Sequence, residues 1–259
     1  MRLRHLVVVM PAYNEAEGIG GFLREIDADL EPLAETLELV VVDDRSTDDT
    51  ALALAAVAEE LPALRVITAD ANRGHGPTAL AAYRAGLEGG GELVVHVDGD
   101  GQFAGTDLAR LVRAAVSTGA DVVHGVRTGR TDPWFRRALT FTVGAVVALA
   151  AGRRIPDVNT PLRAYRPAAL GELLSTVPAD ALVPHVHFSI AEARRGYRVR
   201  YLRVSSLPRR GGDAQGTMWT EAGAGPPRSP RLPPPRLRRF ARQAAIELWR
   251  VSLKPRPSA

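Results

Sequence analysis

The first 125 residues alternate between short apolar runs and longer segments whose apolar positions follow a helical spacing. Continuous apolar runs of this length are typical of strands that are buried on both faces of a parallel sheet. The pattern predicts strands at residues 6–10, 37–42, 65–68, 92–97 and 121–125, and helices at residues 17–30, 48–60, 77–87 and 108–117. Strands that alternate with helices indicate an α/β fold with a mostly parallel central sheet flanked by helices.

The second half of the chain carries a weaker pattern. A strand is predicted at residues 198–204, and either a helix or a strand around Ile190. Residues 138–152 are a mostly apolar stretch, ALTFTVGAVVALAAG, bracketed by two arginine pairs. Because a bilayer-spanning helix needs roughly 20 apolar residues, two interpretations remain. The stretch is either a buried helix or a helix that lies on a membrane surface with its arginines toward lipid phosphates.

The composition changes near the C-terminus. Residues 213–236 are rich in Gly and Pro and predict an extended linker, whereas residues 237–259 recover a helical spacing with a basic face. We therefore divide the chain into a folded domain at residues 1–212, a linker at residues 213–236 and a basic C-terminal helix. The chain opens on a short apolar run that ends in a proline, which favours a first strand over a signal peptide and predicts a cytoplasmic location.

Charge is distributed unevenly along the 259 residues. The formal net charge is +4, but 16 of the 33 Lys and Arg residues and only 3 of the 29 acidic residues follow position 193. Such a basic segment favours an anionic partner: nucleic acid, phospholipid or a phosphorylated substrate. The chain contains no cysteine, which excludes disulfides, thiol catalysis and cysteine-bound metals.

Polar residues follow four consecutive predicted strands, at the point where each strand ends. Because the carboxyl ends of parallel strands meet at one edge of a sheet, these residues predict a single ligand site. They are Pro11, Ala12, Tyr13, Asn14 and Glu15 after the first strand; Asp43 and Asp44 after the second; Asn72, Gly74 and Gly76 after the third; and Asp98, Gly99, Asp100 and Gln102 after the fourth.

Two of these clusters carry specific chemistry. Asp98 and Asp100 are two positions apart after a buried strand, so both carboxylates can face one Mg²⁺ or Mn²⁺, with Gln102 as a third contact. A solvated turn is the alternative. The segment DDRSTDD can contact a base or ribose, or can instead cap the following helix. We assign Asp43 and Asp44 to the ligand and Asp48 and Asp49 to the helix cap. Residues 72–76 resemble a loop that cradles phosphate, although a plain turn is the alternative.

The order of the motifs VVMPAYNE, VVVDDRSTDDT, NRGHGPTALAAYRAG and VHVDGDGQ resembles family 2 glycosyltransferases of GT-A fold, and most closely the branch similar to dolichol-phosphate mannosyltransferase. The resemblance covers residues 5 to about 212. It implies an inverting, metal-assisted transfer of a sugar from a nucleoside-diphosphate sugar, GDP-mannose or a UDP-sugar, to a polyprenyl phosphate. Peripheral contact with the inner face of the plasma membrane is a separate expectation, which rests on the arginine-bracketed stretch at residues 138–152.

The resemblance also implies roles for individual residues. Base and ribose contacts would come from Pro11, Tyr13, Glu15 and Asp43, and metal contacts from Asp98, Asp100 and Gln102. Two departures concern the later motifs: Gly101 stands where relatives have Leu or an equivalent, and residues 157–163 replace a segment that ends in Gly-Phe-Arg. Residues 1–125 are the expected nucleotide-sugar half and residues 126–212 the expected acceptor half.

An ionised phosphate acceptor needs cationic positioning and no strong base, and arginine is suited to that task. Asp100 and Arg127 are the predicted catalytic residues, and the predicted acceptor-binding residues are Arg127, Arg136, Arg163, His187, Arg209 and Arg210. A hydroxyl or amine acceptor, such as a soluble natural-product intermediate, would instead need a base, for which His185, His187 and Glu192 are candidates. A nucleotide-binding or nucleic-acid-binding module is the non-enzymatic alternative, although the basic tail lacks interleaved aromatic residues.

Overall fold

The computed structural model describes residues 2–129, 134–211 and 235–254. Seven strands form one sheet in the order β3-β2-β1-β4-β6-β5-β7. The strands are β1 (Leu3–Ala12), β2 (Ala34–Asp43), β3 (Leu64–Thr68), β4 (Leu93–His96), β5 (Val122–Thr128), β6 (Arg163–Tyr165) and β7 (Val199–Ser205). Only β6 runs antiparallel to its neighbours, so the predicted mostly parallel α/β sheet is confirmed.

The helices of the described residues cover both faces of the sheet. They are α1 (Ile19–Leu30), α2 (Thr50–Glu60), α3 (His75–Glu88), α4 (Gly105–Thr118), α5 (Trp134–Ala151), α6 (Pro167–Leu174), α7 (Pro184–Arg194) and α8 (Pro235–Leu248). A turn of π-helix, Trp249–Leu253, continues α8. The segment around Ile190 is therefore helical. The three-residue strand β6 was not predicted, because it is too short to carry a period of its own.

Alternate side chains of β1 enter two separate cores, as the pleat of a buried strand requires. Leu6, Val8 and Met10 pack with residues of α1 and α4 on one face. Val7 and Val9 pack with residues of α3, α6 and α7 on the other face. The continuous apolar run in the sequence therefore reflects burial from both sides, in agreement with the interior position of β1 between β2 and β4.

The apolar stretch predicted at residues 138–152 forms α5, but this helix is buried only in part. Val147 is fully buried, whereas Phe141 is 79% exposed and Leu149 is 85% exposed. The outer face of α5 thus presents large apolar side chains to solvent, contrary to the interpretation as a simple buried helix. Among the described residues, no helix combines the length and the apolar character needed to cross a bilayer.

Candidate active site

The carboxyl ends of β2, β1 and β4 lie side by side, since these strands are adjacent in the sheet. Above them lies a cavity of about 890 Å³. Most of the predicted site residues line it: Pro11, Ala12, Tyr13, Glu15, Asp44, Asn72, Gly74, Gly76, Asp98, Gly99, Asp100, Arg127 and Arg209. Tertiary structure therefore brings together polar residues that are spread over about 200 positions of the chain.

Asp98 and Asp100 form the acidic centre of the cavity. Gly99 between them donates its amide to the Pro11 carbonyl at 3.1 Å. Asp98 Oδ1 is buried without a hydrogen-bond partner, and His75 Nε2 lies 3.6 Å from it. Burial and the neighbouring Asp98 charge raise the pKa of Asp100 to about 6. Two crowded carboxylates, one with an oxygen free of hydrogen bonds, are the arrangement that a hard divalent cation stabilises.

The fit to a divalent cation rests on these two carboxylates. No group of three His, Asp or Glu side chains surrounds a common point in the described parts of the chain. Mg²⁺ and Mn²⁺ fit such a pair, because they take few protein ligands and complete their shells with phosphate and water oxygens. Gln102 contacts Asp100 through its backbone, which donates to Oδ1 at 3.2 Å, and its side chain does not line the cavity. A ligand role for Gln102 stays a prediction.

The segment at residues 207–211 packs directly on the acidic loop. The Leu207 amide donates to the Gln102 carbonyl and the Arg210 amide to the Asp100 carbonyl, both at 3.0 Å. Gly101 has φ of +65°, and a Cβ there would lie 2.5 Å from Arg210 Cδ. Both observations explain why a glycine stands at position 101, where a side chain would be strained and crowded.

The two adjacent arginines of this segment point to different partners. Arg209 lines the cavity and forms an ion pair with Glu15. Burial raises the pKa of Glu15 to about 8, against the opposing pull of Arg209. Arg210 instead pairs with Glu25, at 2.5 Å between Nη2 and Oε2, and lies outside the cavity. The acceptor role of Arg210 therefore stays a prediction, and in the structure its side chain is engaged on the α1 side of the loop.

At the end of β2, the two aspartates have different tasks. Asp43 accepts hydrogen bonds from the amide and hydroxyl of Ser46, the local turn that its sequence context allows. Asp44 reaches further: its two carboxylate oxygens accept the amides of Arg73 and Gly74, each at 2.8 Å. Asp44 therefore holds the glycine loop at the start of α3 against the cavity.

We expect Asp44→Asn to weaken binding of the predicted nucleoside-diphosphate sugar. The amide has only one acceptor oxygen, and its N–H group would face a backbone amide of the glycine loop. Loss of one charge-assisted hydrogen bond corresponds to roughly a tenfold rise in the nucleotide Kd. Isothermal titration with nucleoside diphosphate measures it. Asp70→Asn is the control, since Asp70 is an exposed residue outside the cavity. An unchanged Kd for Asp44→Asn would contradict this role.

Arg127 lines the cavity at the end of β5, and its guanidinium group is already fixed. It donates to both carboxylate oxygens of Asp157 at 2.8 and 2.9 Å, and to the Asn159 carbonyl at 3.1 Å. A planar guanidinium held in this way keeps one orientation. Arg127 therefore lines the same cavity as the polar strand ends and the residues of α5.

Two predicted acceptor residues lie elsewhere. Arg163 is completely buried, and its guanidinium donates to the Val158 and Thr160 carbonyls and pairs with Glu192. His187 is buried under the C-terminal segment. Neither can meet a ligand in the cavity, which corrects both expectations. Arg136 is also a predicted acceptor-binding residue, and its side chain lies outside the part of the chain that the structure describes.

His185, a candidate base for a hydroxyl acceptor, does line the cavity. Its Nε2 lies 3.0 Å from the Tyr83 hydroxyl. Burial, reinforced by neighbouring His96 and Arg163, holds the pKa of His185 well below its usual range. The ring is therefore neutral at pH 7, and one of its nitrogens is engaged with Tyr83.

Sequence reasoning missed the apolar half of the cavity. α5 contributes Leu139, Val143 and Val146 to its wall. α8 contributes a face with helical spacing: Leu237, Phe240, Ala241, Ala244, Ala245 and Leu248. The sequence shows that the apolar residues of α8 share one helical face, but it does not show what that face packs against. The acidic strand ends and these two apolar faces border one continuous space.

Comparison with known proteins gives three findings. The model of the family "Glycosyl transferase family 2" matches residues 7–174. The undecaprenyl-phosphate 4-deoxy-4-formamido-L-arabinose transferase of Serratia proteamaculans is 33% identical over 183 residues, covering 70% of this chain and 55% of that protein. The enzyme of that name from Proteus mirabilis is 31% identical, covering 80% and 66%. The chain thus spans little more than half the length of the first of these relatives.

Solved structures share the fold. A mannosyltransferase of Pyrobaculum calidifontis, in complex with GDP-Man and Mn²⁺, superimposes with a TM-score of 0.63 at 23% identity, covering all of this chain and 66% of that one. The glucosyl-3-phosphoglycerate synthase of Mycobacterium tuberculosis, in complex with Mn²⁺, UDP and phosphoglyceric acid, gives 0.65 at 18% identity, covering 98% and 80%.

Proposed function

We infer that this chain, which belongs to glycosyl transferase family 2, transfers a sugar from a nucleoside-diphosphate sugar to a polyprenyl phosphate. One observation carries the choice of acceptor. The cavity that holds Asp98 and Asp100 continues between the apolar faces of α5 and α8. A soluble, polar acceptor would gain nothing from those faces, whereas a hydrocarbon chain would be removed from water by them.

The reaction is a single displacement with inversion. An oxygen of the acceptor phosphate forms a bond to the anomeric carbon, while the bond from that carbon to the nucleoside diphosphate breaks and the nucleoside diphosphate leaves. The phosphate oxygen is already ionised near neutral pH, so no residue needs to remove a proton. The task of the protein is to orient two anions against each other, which is mainly electrostatic work.

The residues of the cavity divide this task. Asp44 holds the glycine loop that would face the diphosphate, and Glu15 and Tyr13 border the space for the nucleoside. Arg127, fixed by Asp157, and Arg209 supply positive charge for the phosphate groups. Asp98 and Asp100 would hold Mg²⁺ or Mn²⁺, and this cation would neutralise charge on the leaving diphosphate.

A transfer assay tests the proposal. The full chain is incubated with Mn²⁺ or Mg²⁺ and a panel of UDP- and GDP-sugars, together with undecaprenyl phosphate or a soluble phosphorylated acceptor, and the products are identified by mass spectrometry. We expect a glycosyl-phospholipid of inverted anomeric configuration. Transfer to the soluble acceptor alone would favour the soluble-acceptor alternative, and metal-independent nucleotide binding without transfer would favour a binding module.

We further propose that the chain binds a membrane at its periphery, through the outer face of α5 and the end of α8. Trp134, Phe141 and Leu149 project from α5, and Trp249 follows α8, each more than half exposed. Arginines stand beside them, among them Arg137, Arg153 and Arg250. Large apolar side chains beside arginines are the pattern of a surface that enters the interface of an anionic bilayer.

Replacing Phe141 and Leu149 together by Asp is expected to lower binding to phosphatidylglycerol vesicles at least tenfold, because each exposed side chain contributes about 1.5–3 kcal/mol when it is buried in lipid. Co-sedimentation measures the bound fraction. Leu52→Asp is the matched control: Leu52 is 70% exposed on α2, away from this surface. Equal losses for the control and the double variant would contradict the proposed surface.

A further inference from the structure

Glu247 of α8 reaches the beginning of α7 from the far end of the chain. Both of its carboxylate oxygens lie 2.9 Å from the Leu182 amide, and Oε1 lies 3.4 Å from the Val183 amide. α7 begins with Pro184, and no side chain of its own N-cap residue Val183 caps it. Glu247 therefore supplies the acceptor and the negative charge that a helix N-terminus needs.

His187 extends this contact along α7. Its Nε2 lies 2.9 Å from Glu247 Oε1, and its Nδ1 lies 2.6 Å from the Ser252 hydroxyl. About two turns further along α7, Arg194 donates to the Ser252 and Ala150 carbonyls. His187 is buried, whereas Glu247 and Ser252 are partly buried. Polar groups joined in this way favour one geometry, because the buried imidazole would lose its partners if the segment shifted. We call Glu247, His187 and Ser252 the α8 clamp.

The clamp matters because α8 has little other attachment. Of its described side chains only Leu237 and Leu248 are buried. The face between them, which includes Phe240 and Ala244, borders the cavity instead of a core. Across the cavity stand Leu139, Val143 and Val146 of α5. Two apolar faces that stand apart would ordinarily close on each other, so the position of α8 sets the width of the space between them.

We propose that Glu247 is a positioning residue for the acceptor: by fixing α8 on the N-terminus of α7, it shapes the apolar wall that takes the hydrocarbon chain of a polyprenyl phosphate. The inference rests on the proposed function for the identity of the chain. Glu247 itself does not line the cavity and touches no reacting group. Its effect must therefore depend on the length of the acceptor chain.

The test compares Glu247→Ala with wild type in the full chain, using undecaprenyl phosphate and the one-unit acceptor isopentenyl phosphate. Loss of the charge-assisted contact that holds the apolar face of α8 is expected to raise KM for undecaprenyl phosphate about tenfold. We expect kcat, KM for isopentenyl phosphate and the nucleotide Kd to stay unchanged. Glu247→Gln, which keeps one acceptor oxygen, should recover part of the loss. Glu172→Ala removes a solvent-exposed carboxylate that pairs with Arg195 and is the matched control.

Equilibrium binding of undecaprenyl phosphate in detergent, without nucleoside-diphosphate sugar, separates the proposed function from the positioning role of Glu247. If wild type binds the lipid but transfers no sugar to it, the proposed function fails and the clamp is judged by lipid binding alone. If the lipid does not bind to wild type, both fail. Equal rises in KM for the two acceptors, or a lowered melting temperature with an unchanged KM for undecaprenyl phosphate, would reduce Glu247 to a purely structural contact and overturn the inference.

Discussion

Asp100→Asn is expected to lower sugar transfer by about 10²-fold or more while leaving the fold intact, since removing one stabiliser of developing charge has an effect of this size. The metal would lose one of its two carboxylate ligands. The protein itself loses little, because burial and Asp98 already disfavour the charged form of Asp100 and raise its pKa to about 6. Relief of that repulsion keeps the free energy of unfolding of the metal-free protein unchanged or raises it.

Two measurements check the role of Asp100. Isothermal titration with nucleoside diphosphate, with and without Mn²⁺, should show metal-dependent binding in wild type and its loss in the variant. Thermal unfolding without metal should show no decrease in melting temperature. Asp49→Asn is the control, because Asp49 is exposed and its side chain makes no cap contact at the start of α2. Turnover of Asp100→Asn at the wild-type rate would refute the metal assignment.

Arg163→Met is expected to destabilise the protein by roughly 3–5 kcal/mol, the cost of removing one partner of a buried ion pair. Glu192 would remain fully buried with His124 beside it, 2.9 Å between Nε2 and Oε2. Burial alone would raise the pKa of Glu192, but His124 and Arg163 outweigh it and lower the pKa in the native protein. Without Arg163 the charges that lower the pKa of Glu192 are fewer. The Thr160 carbonyl also loses the donor that Arg163 supplies, and the Val158 carbonyl keeps the Ser189 hydroxyl.

Urea unfolding followed by circular dichroism measures the change. The double variant Arg163→Met with Glu192→Gln should recover part of the stability, since it removes the uncompensated charge. Arg127→Met is the comparison, because its ion pair with Asp157 lies on the cavity; we expect it to affect acceptor KM more than stability. If Arg163→Met unfolded at the wild-type urea concentration but bound acceptor poorly, the acceptor role predicted from sequence would be restored.

The contrast between Arg127 and Arg163 shows where sequence reasoning reached its limit. Both arginines follow apolar residues, and the sequence predicted an acceptor-binding role for both. Their fates differ because β6 inserts antiparallel between β4 and β5, which carries Arg163 into the interior beside α7. A three-residue strand that pairs with residues about 40 and 70 positions earlier leaves no local periodic signal.

The sequence alone determined the parallel strands of the sheet and its acidic edge, but not the antiparallel strand β6. The apolar runs, burying alternate residues in two cores, required a central parallel sheet, and that geometry required Asp98, Asp100 and the β1 and β2 ends to meet. Only tertiary structure decided which arginines face the cavity, that Asp44 supports a loop, and that α5 and α8 complete the site. These depend on contacts between segments far apart in the chain: a helical spacing reveals that a face is apolar, but packing decides whether that face meets a core, a lipid or a substrate.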